Sequence, residues 1–249
     1  MANWNDPQPP RTGFGASPSL NRDTRGQVAG FDAGLRRYML SIYNYMASGV
    51  LLSGVVALGF AESGMAQQVM ATPLRWLIML APLGFVMAMS FGVNRMKTST
   101  LQMLFWAFCV VMGLSMSTIL LVFTGASVAS TFFATAGAFA GLSLVGYTTK
   151  KNLSGMGSFL YMGAFGIIIA IVINGLFLHS GPLQLAISAL GVLIFAGLTA
   201  YDTQRLKMVY ADVAGSDMQG KVAIMGALSL YLDFINMFQF LLSFMGDRR

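Results

Sequence analysis

Residues 225–245 read MGALSLYLDFINMFQFLLSFM, an apolar run with one charged residue, Asp233, near its middle. The run is long enough to cross the hydrocarbon core of a membrane, which takes about 20 residues of helix. An aspartate at the centre of such a span costs about 2.5 to 3.5 kcal/mol on insertion scales, so intramembrane acids mostly face a bundle interior and mark paths for ions or protons. We therefore interpret this stretch as a transmembrane helix with a functional carboxylate.

At helical spacing, the small and polar residues of this segment share one stripe, and the large apolar side chains lie off it. The stripe consists of Gly226, Ser229, Asp233, Asn236 and Ser243, with Phe240 as its only large member. Small residues let helices approach closely in membranes. The stripe is therefore predicted to face protein rather than lipid.

The composition of the whole chain also indicates a polytopic membrane protein. Of 249 residues, 56% are hydrophobic and 10% are charged, and the mean hydropathy is +0.68, whereas soluble domains carry about 25% charged residues. The net charge of +6 does not indicate a nucleic-acid partner, because the basic residues stand singly or in pairs between apolar runs. The expected partner is the lipid bilayer.

The chain divides into two regions of different composition. Residues 1–35 are polar and lack apolar periodicity, so they are predicted to form a disordered tail. Residues 36–249 are predicted to form an all-α domain of seven transmembrane helices. The predicted spans are Tyr38–Phe60, Trp76–Val93, Ser99–Phe123, Ser127–Thr148, Gly157–Leu178, Leu183–Gln204 and Val222–Met245. Small residues predicted to allow close helix approach are Gly49 and Ser53 in the first span, Gly137 and Gly141 in the fourth, and Gly163 and Gly166 in the fifth.

The basic residues predict an orientation, because short cytoplasmic loops retain Lys and Arg. With a cytoplasmic N-terminus, all of the 15 basic residues except Arg75, Arg248 and Arg249 fall on the inner side. Seven spans then place the C-terminus outside, although a re-entrant last segment would fit the same charges. The lack of an organelle-targeting signal favours a bacterial inner membrane, with an internal organelle membrane as the alternative.

Only two acidic residues, Asp202 and Asp233, fall within predicted helices. Asp202 lies at the end of the sixth span, whose helix could continue to about Tyr210, and Asp233 lies about 16 Å into the seventh. If the sixth helix does continue, both carboxylates reach the same layer. Two carboxylates that face each other in a low dielectric cannot both ionise cheaply, so the pair is predicted to share a proton and titrate as a unit.

Each of these charged residues also has a purely structural interpretation. Asp202 could pair with Arg205 one turn further on, and Asp233 could be a hydrogen-bonded acid that only fixes helix packing. Arg95, at the end of the second span, could be an anchor that reaches the membrane interface.

Three motifs resemble the transmembrane Bax inhibitor motif family, the family of Bax inhibitor-1 and its bacterial relatives. They are ALSLYLDFIN at 227–236, Tyr201-Asp202, and GYTTKKNLS at 146–154. The resemblance covers about residues 30–249 and implies two three-helix layers around a central C-terminal helix. It also implies a pH-sensitive calcium leak controlled by an aspartate pair, here Asp202 and Asp233. An arginine late in the second helix, which interacts with the pair in similar proteins, would correspond to Arg95.

A calcium ion prefers six to eight oxygen ligands. The aspartate pair together with Asn236, Ser229, Thr199 and water could supply only a weak, transient site. A leak requires no more, so neither a tight metal site nor a bound cofactor is expected.

Two other functions stay open as alternatives. One is an interaction protein that modulates membrane proteases or stress and cell-death responses without transport, with other membrane proteins as partners. The other is an intramembrane aspartyl protease, which also carries an aspartate on each of two neighbouring spans. The second protease motif is Gly-x-Gly-Asp, whereas this chain has Leu-Tyr-Leu-Asp at 230–233. We therefore expect no enzymatic activity.

Overall fold

A computed structural model describes residues 20–249 of the chain, with side chains from Phe31 onward. This part of the chain is 88% helical and contains no strands. Of the predicted N-terminal tail, residues 1–19 lie outside the described residues. The first helix begins at Leu20, earlier in the sequence than the predicted domain boundary.

Seven of the eight α-helices are long and apolar enough to cross a membrane, which confirms the predicted number of spans. The exception is the short α2. The helices are α1 (Leu20–Glu62), α2 (Met65–Met70), α3 (Leu74–Gly92), α4 (Thr98–Val122), α5 (Gly125–Thr148), α6 (Ser154–Ile173), α7 (Gly181–Val213) and α8 (Met218–Met245). A π-helical turn, Asn174–Leu178, extends α6.

The two helices that carry the aspartates are the sixth and seventh spans, α7 and α8. The hydroxyl of Ser180 accepts a hydrogen bond from the backbone N–H of Leu183 and so caps the start of α7. The helix then continues without a break to Val213. This confirms the prediction that the sixth helix extends past Asp202 to about Tyr210.

Helix α8 lies at the centre of the bundle. In its most apolar window 61% of the residues are buried, against 33% or less in the other six spans. It packs against α7, α1, α5 and α4. The remaining contacts group α1, α3 and α4 on one side and α5, α6 and α7 on the other. This arrangement is consistent with two three-helix layers around α8.

Helix α8 runs the full length of the bundle beside α4. Gly220, in its first turn, lies against Thr98 at the start of α4. Beyond its last turn, the backbone N–H of Thr124 donates to the carbonyl of Asp247 at 3.0 Å, and Phe123 and Arg248 form an antiparallel bridge. Helices α8 and α4 therefore run parallel and end at the same two levels of the bundle.

The small residues predicted to allow close helix approach divide into two groups. Gly49 packs against Phe105 and Cys109 of α4, and Gly163 packs against Ile194 of α7, which confirms these two. The prediction is wrong for Gly137, Gly141 and Gly166, where an added Cβ would meet open space. Spacing identifies a face of small residues, but it does not determine which helix, if any, covers that face.

Candidate functional site

The polar stripe of α8 faces protein, as predicted, and the helix that it faces is α7. Contacts spread along the stripe set the register of the two antiparallel helices. They are Gly226 with Leu206, Phe240 with Gly191, and Ser243 with Ser188 and Gln184. In this register Asp233 lies level with Thr199, and Asp202 is about one helical turn away along α7.

Asp202 is 3% exposed and is contacted by one residue of α6 and one residue of its own helix, α7. The Tyr161 hydroxyl, on α6, donates to Asp202 Oδ1 at 2.9 Å. The guanidinium of Arg205 lies 3.7 Å from the same oxygen and donates to the Tyr161 hydroxyl at 3.3 Å. The ion pair with Arg205, which the structural interpretation of Asp202 predicts, is therefore present. Because Arg205 is half exposed, the pair is worth at most about 1 kcal/mol.

Asp233 is buried in a different way. Its side chain is 5% exposed, and its Oδ2 atom has no hydrogen-bond partner among the described residues. The register of α7 and α8 places Asp202 about one helical turn from the level of Asp233 on the facing helix. Nearly all buried polar atoms in proteins have a partner. An oxygen without one can accept a proton, a water molecule or a cation.

A family model described as "Inhibitor of apoptosis-promoting Bax1" matches residues 35–249. The chain belongs to this family, the Bax inhibitor-1-like proteins. The match begins at Leu35, which is itself a buried core residue, and continues to the last residue, so it covers both aspartates.

Bacterial relatives of this Bax inhibitor-1-like chain are similar over nearly their full length. A protein of Caulobacter vibrioides is 46% identical over 229 residues, which cover 88% of this chain and 91% of the relative. A protein of Rickettsia prowazekii is also 46% identical, over 88% and 93% of the two chains. The inner membrane protein YbhL of Escherichia coli K12 is 42% identical, over 87% and 94%.

The Bax inhibitor-1-like fold brings three further predicted oxygen ligands near the aspartates. Thr199 is fully buried, and its hydroxyl donates to the carbonyl of Phe195 within α7. Ser229 and Asn236 lie one turn to either side of Asp233 on the same face of α8. The Asn236 amide donates to the carbonyl of Leu232, within its own helix. Among the described residues, no three His, Cys, Asp or Glu side chains come together to hold a metal ion.

The structure does not bring Arg95 to the aspartate pair. Arg95 is exposed in the turn that follows α3, and α3 packs mainly against α4 rather than against α7 or α8. The ion pair formed within residues 31–249 joins Arg205, not Arg95, to Asp202.

Sequence reasoning missed Tyr161 as a partner of Asp202. The Tyr161 hydroxyl reaches Asp202 only because α6 packs closely on α7. At this contact Gly157 lies against the Tyr201 ring, and Gly197 lies against Leu160. The sequence signals were a lone tyrosine hydroxyl in an apolar span and glycines on both helices. Neither signal indicates that the hydroxyl points at an acid on the next helix.

Proposed function

We propose that this protein is a pH-sensitive calcium leak of the membrane, gated by Asp202 and Asp233. One observation carries the proposal. Two buried carboxylates lie about one helical turn apart on the facing sides of α7 and α8, and Asp233 Oδ2 has no partner in the described part of the chain. If the pair were purely structural, every buried carboxylate oxygen should have a hydrogen-bond partner.

The proposed gate works through the net charge of the pair. Gain or loss of one proton changes the attraction between the pair and a cation, and it changes the hydrogen bond by which Tyr161 of α6 holds Asp202 of α7. At an effective dielectric near 20, one unit charge at about 4 Å is worth about 4 kcal/mol. That energy is enough to shift the balance between two packings that differ by a few kcal/mol.

In this proposal a calcium ion passes the pair without being held tightly. The carboxylates, the hydroxyls of Thr199 and Ser229, and the amide oxygen of Asn236 supply some of its six to eight oxygen ligands, and water supplies the rest. We propose no resident metal, no cofactor and no enzymatic step. The unbroken α-helix over Met218–Met245 supports the absence of proteolysis, since α8 lacks the glycine motif of the proteases.

Arg205 and Arg95 have different parts in this proposal. Arg205 already lies beside Asp202 and would respond directly to its charge. Arg95 would contribute only in another packing of the helices, in which α3 approaches α8. Arg95→Gln is therefore expected to change the open state, if it changes flux at all, and Arg205→Gln to change the pH response.

The proposed location is the bacterial inner membrane, with the N-terminus in the cytoplasm and the C-terminus outside. The relative YbhL is an inner membrane protein, which supports the membrane, and the distribution of Lys and Arg supports the orientation. The aspartate pair would then lie in the half of the membrane nearer the cytoplasm.

The test is calcium flux into proteoliposomes loaded with a calcium dye, between about pH 5 and 8. Asp202→Asn and Asp233→Asn are each expected to flatten the pH dependence. Asp212→Asn is the matched control, because it removes an exposed carboxylate near the end of the same helix. Flux equal to that of empty liposomes at every pH would overturn the leak, and an unchanged pH profile in both pair variants would overturn the gate.

A second candidate is an interaction protein that modulates membrane proteases or stress responses, with other membrane proteins as partners. The ion pair between Arg205 and Asp202 favours it, since that contact gives Asp202 a purely structural role. Recovery of a stable partner from native membranes, together with absent flux, would support this candidate over the leak.

A further inference from the structure

A groove between α1 and α5 opens from the outside of the bundle down to α8. The two helices belong to different three-helix groups and make little direct contact. The space between them is a cavity of about 750 Å³. Its floor is Phe234 of α8, whose ring lies 5.6 Å from those of Phe132 and Phe139 on α5. A second cavity of about 360 Å³ continues the groove and shares Leu51 with it.

The groove is long enough to hold a lipid acyl chain. Along α1 the first cavity extends from Arg36 to Leu51, about 22 Å at 1.5 Å per residue. One leaflet contributes about 15 Å of hydrocarbon, half of the bilayer core. The cavity volume also falls within the roughly 300–1,000 Å³ of small-ligand sites. Because the groove opens between apolar spans, the acyl chains of the surrounding membrane lipids can enter it directly.

One end of the groove is basic. Arg36 is the only charged residue that lines the first cavity. Tyr147 also lines this cavity, and Lys207 Nζ lies 5.0 Å from its ring and donates to its carbonyl at 2.9 Å. The lysines at 150–151 follow in the adjacent turn. Asp32, one turn before Arg36, forms no ion pair within the described side chains. A phosphate group complements this cluster of positive charge.

We propose that the groove binds one phospholipid of net negative charge, with an acyl chain between α1 and α5 and its phosphate at Arg36. The bound lipid would also contact residues that connect the groove to the aspartate pair. Tyr43, on the groove wall, is hydrogen-bonded to Ser143, which is hydrogen-bonded to Thr203 at 2.9 Å. Thr203 and the floor residue Phe234 directly follow the two aspartates in sequence. Binding itself does not depend on the leak function.

The test is native mass spectrometry of the purified full chain in detergent, with equal amounts of dioleoyl phosphatidylglycerol and dioleoyl phosphatidylcholine. We expect one phosphatidylglycerol to be retained in preference. Arg36→Gln is expected to lower that retention about fivefold, the effect of one basic residue near anionic lipid, and to leave phosphatidylcholine unchanged. Arg37→Gln is the matched control, because it removes the same charge from a side chain that lines a different cavity.

A second pair of variants tests the acyl part of the site. Ala140→Phe places a ring in the groove, and Ala138→Phe places one on an exposed side of α5 that does not line it. We expect only Ala140→Phe to reduce retention. If Arg36→Gln and Arg37→Gln lower phosphatidylglycerol retention equally, the preference comes from general attraction of the basic surface, and the proposed site is overturned. Equal behaviour of the two phenylalanine variants, or a dimer that excludes lipid, would overturn it as well.

Discussion

At the scale of single residues, the two aspartates are buried to a similar extent but bonded differently. Asp202 accepts a hydrogen bond from Tyr161 and lies beside Arg205. Asp233 Oδ2 has no comparable partner in the described part of the chain. Substitutions at the two positions therefore remove different interactions, even though both remove one carboxylate.

Tyr161→Phe removes the hydroxyl that donates to Asp202 Oδ1. A hydrogen bond to a carboxylate favours its ionised form. If the proposed gate is correct, its loss is expected to move the midpoint of the flux–pH curve to higher pH. The measurement is proteoliposome flux across the pH range.

Tyr201→Phe is the control for this prediction. Tyr201 precedes Asp202 in α7, and its ring lies edge-on to that of Tyr161 at 6.0 Å. The structure gives its hydroxyl no hydrogen bond to the aspartates, so the midpoint should not move. Equal shifts in the two variants would mean that loss of any nearby tyrosine hydroxyl has this effect, and would contradict a specific role for the bond from Tyr161 to Asp202.

Asp202→Asn and Asp233→Asn are expected to affect stability unequally. Asp202→Asn loses the ion pair with Arg205 and weakens a charge-assisted bond, so the free energy of unfolding should fall by about 1 to 2 kcal/mol. Asp233→Asn loses no such bond and should leave stability unchanged or higher.

Cys109 is the sole cysteine and is fully buried. Its reaction with a fluorogenic maleimide on heating therefore reports unfolding. Equal destabilisation would indicate a bond to Asp233 that forms only in the membrane.

At the scale of helices, α5 packs on the backbone of α7 at Gly146, where an added Cβ would meet the backbone of Ala200. Gly146→Ala would force the two helices apart and is expected to lower the free energy of unfolding by about 1 to 3 kcal/mol. Gly141→Ala, on the same helix, adds a methyl group into open space and should be neutral or mildly stabilising. The same maleimide assay compares them. A stable Gly146→Ala variant would contradict this packing of α5 on α7.

The difference between these glycines also shows where sequence reasoning succeeds and fails. Periodicity within α8 correctly predicted that its polar stripe faces protein, because a helix fixes the relation among its own residues. The pattern at Gly137 and Gly141 failed because it does not report the rotation of α5 against its neighbours. Tyr161 was missed for the same reason, since its role depends on the position of α6 relative to α7.

At the scale of the whole molecule, α8 separates two three-helix groups and contacts both. A change at the aspartates acts on the interface between α8 and the α5–α6–α7 group. The groove between α1 and α5 lies where the two groups meet on the lipid side. Relative movement of the groups would therefore change the groove and the aspartate site together, and a lipid bound there would favour one arrangement.

The orientation of the whole bundle can be tested with single cysteines in a Cys109→Ala background. Ser63, Asn152 and Asp247 are exposed between or beyond the spans. With the N-terminus inside, Ser63→Cys and Asp247→Cys are expected to react with a membrane-impermeant maleimide in intact spheroplasts, and Asn152→Cys only after permeabilisation. The reverse pattern would place the basic end of the groove and the aspartate pair toward the outside. Because short inner loops retain Lys and Arg, that result would also leave the charge asymmetry of this chain without a physical cause.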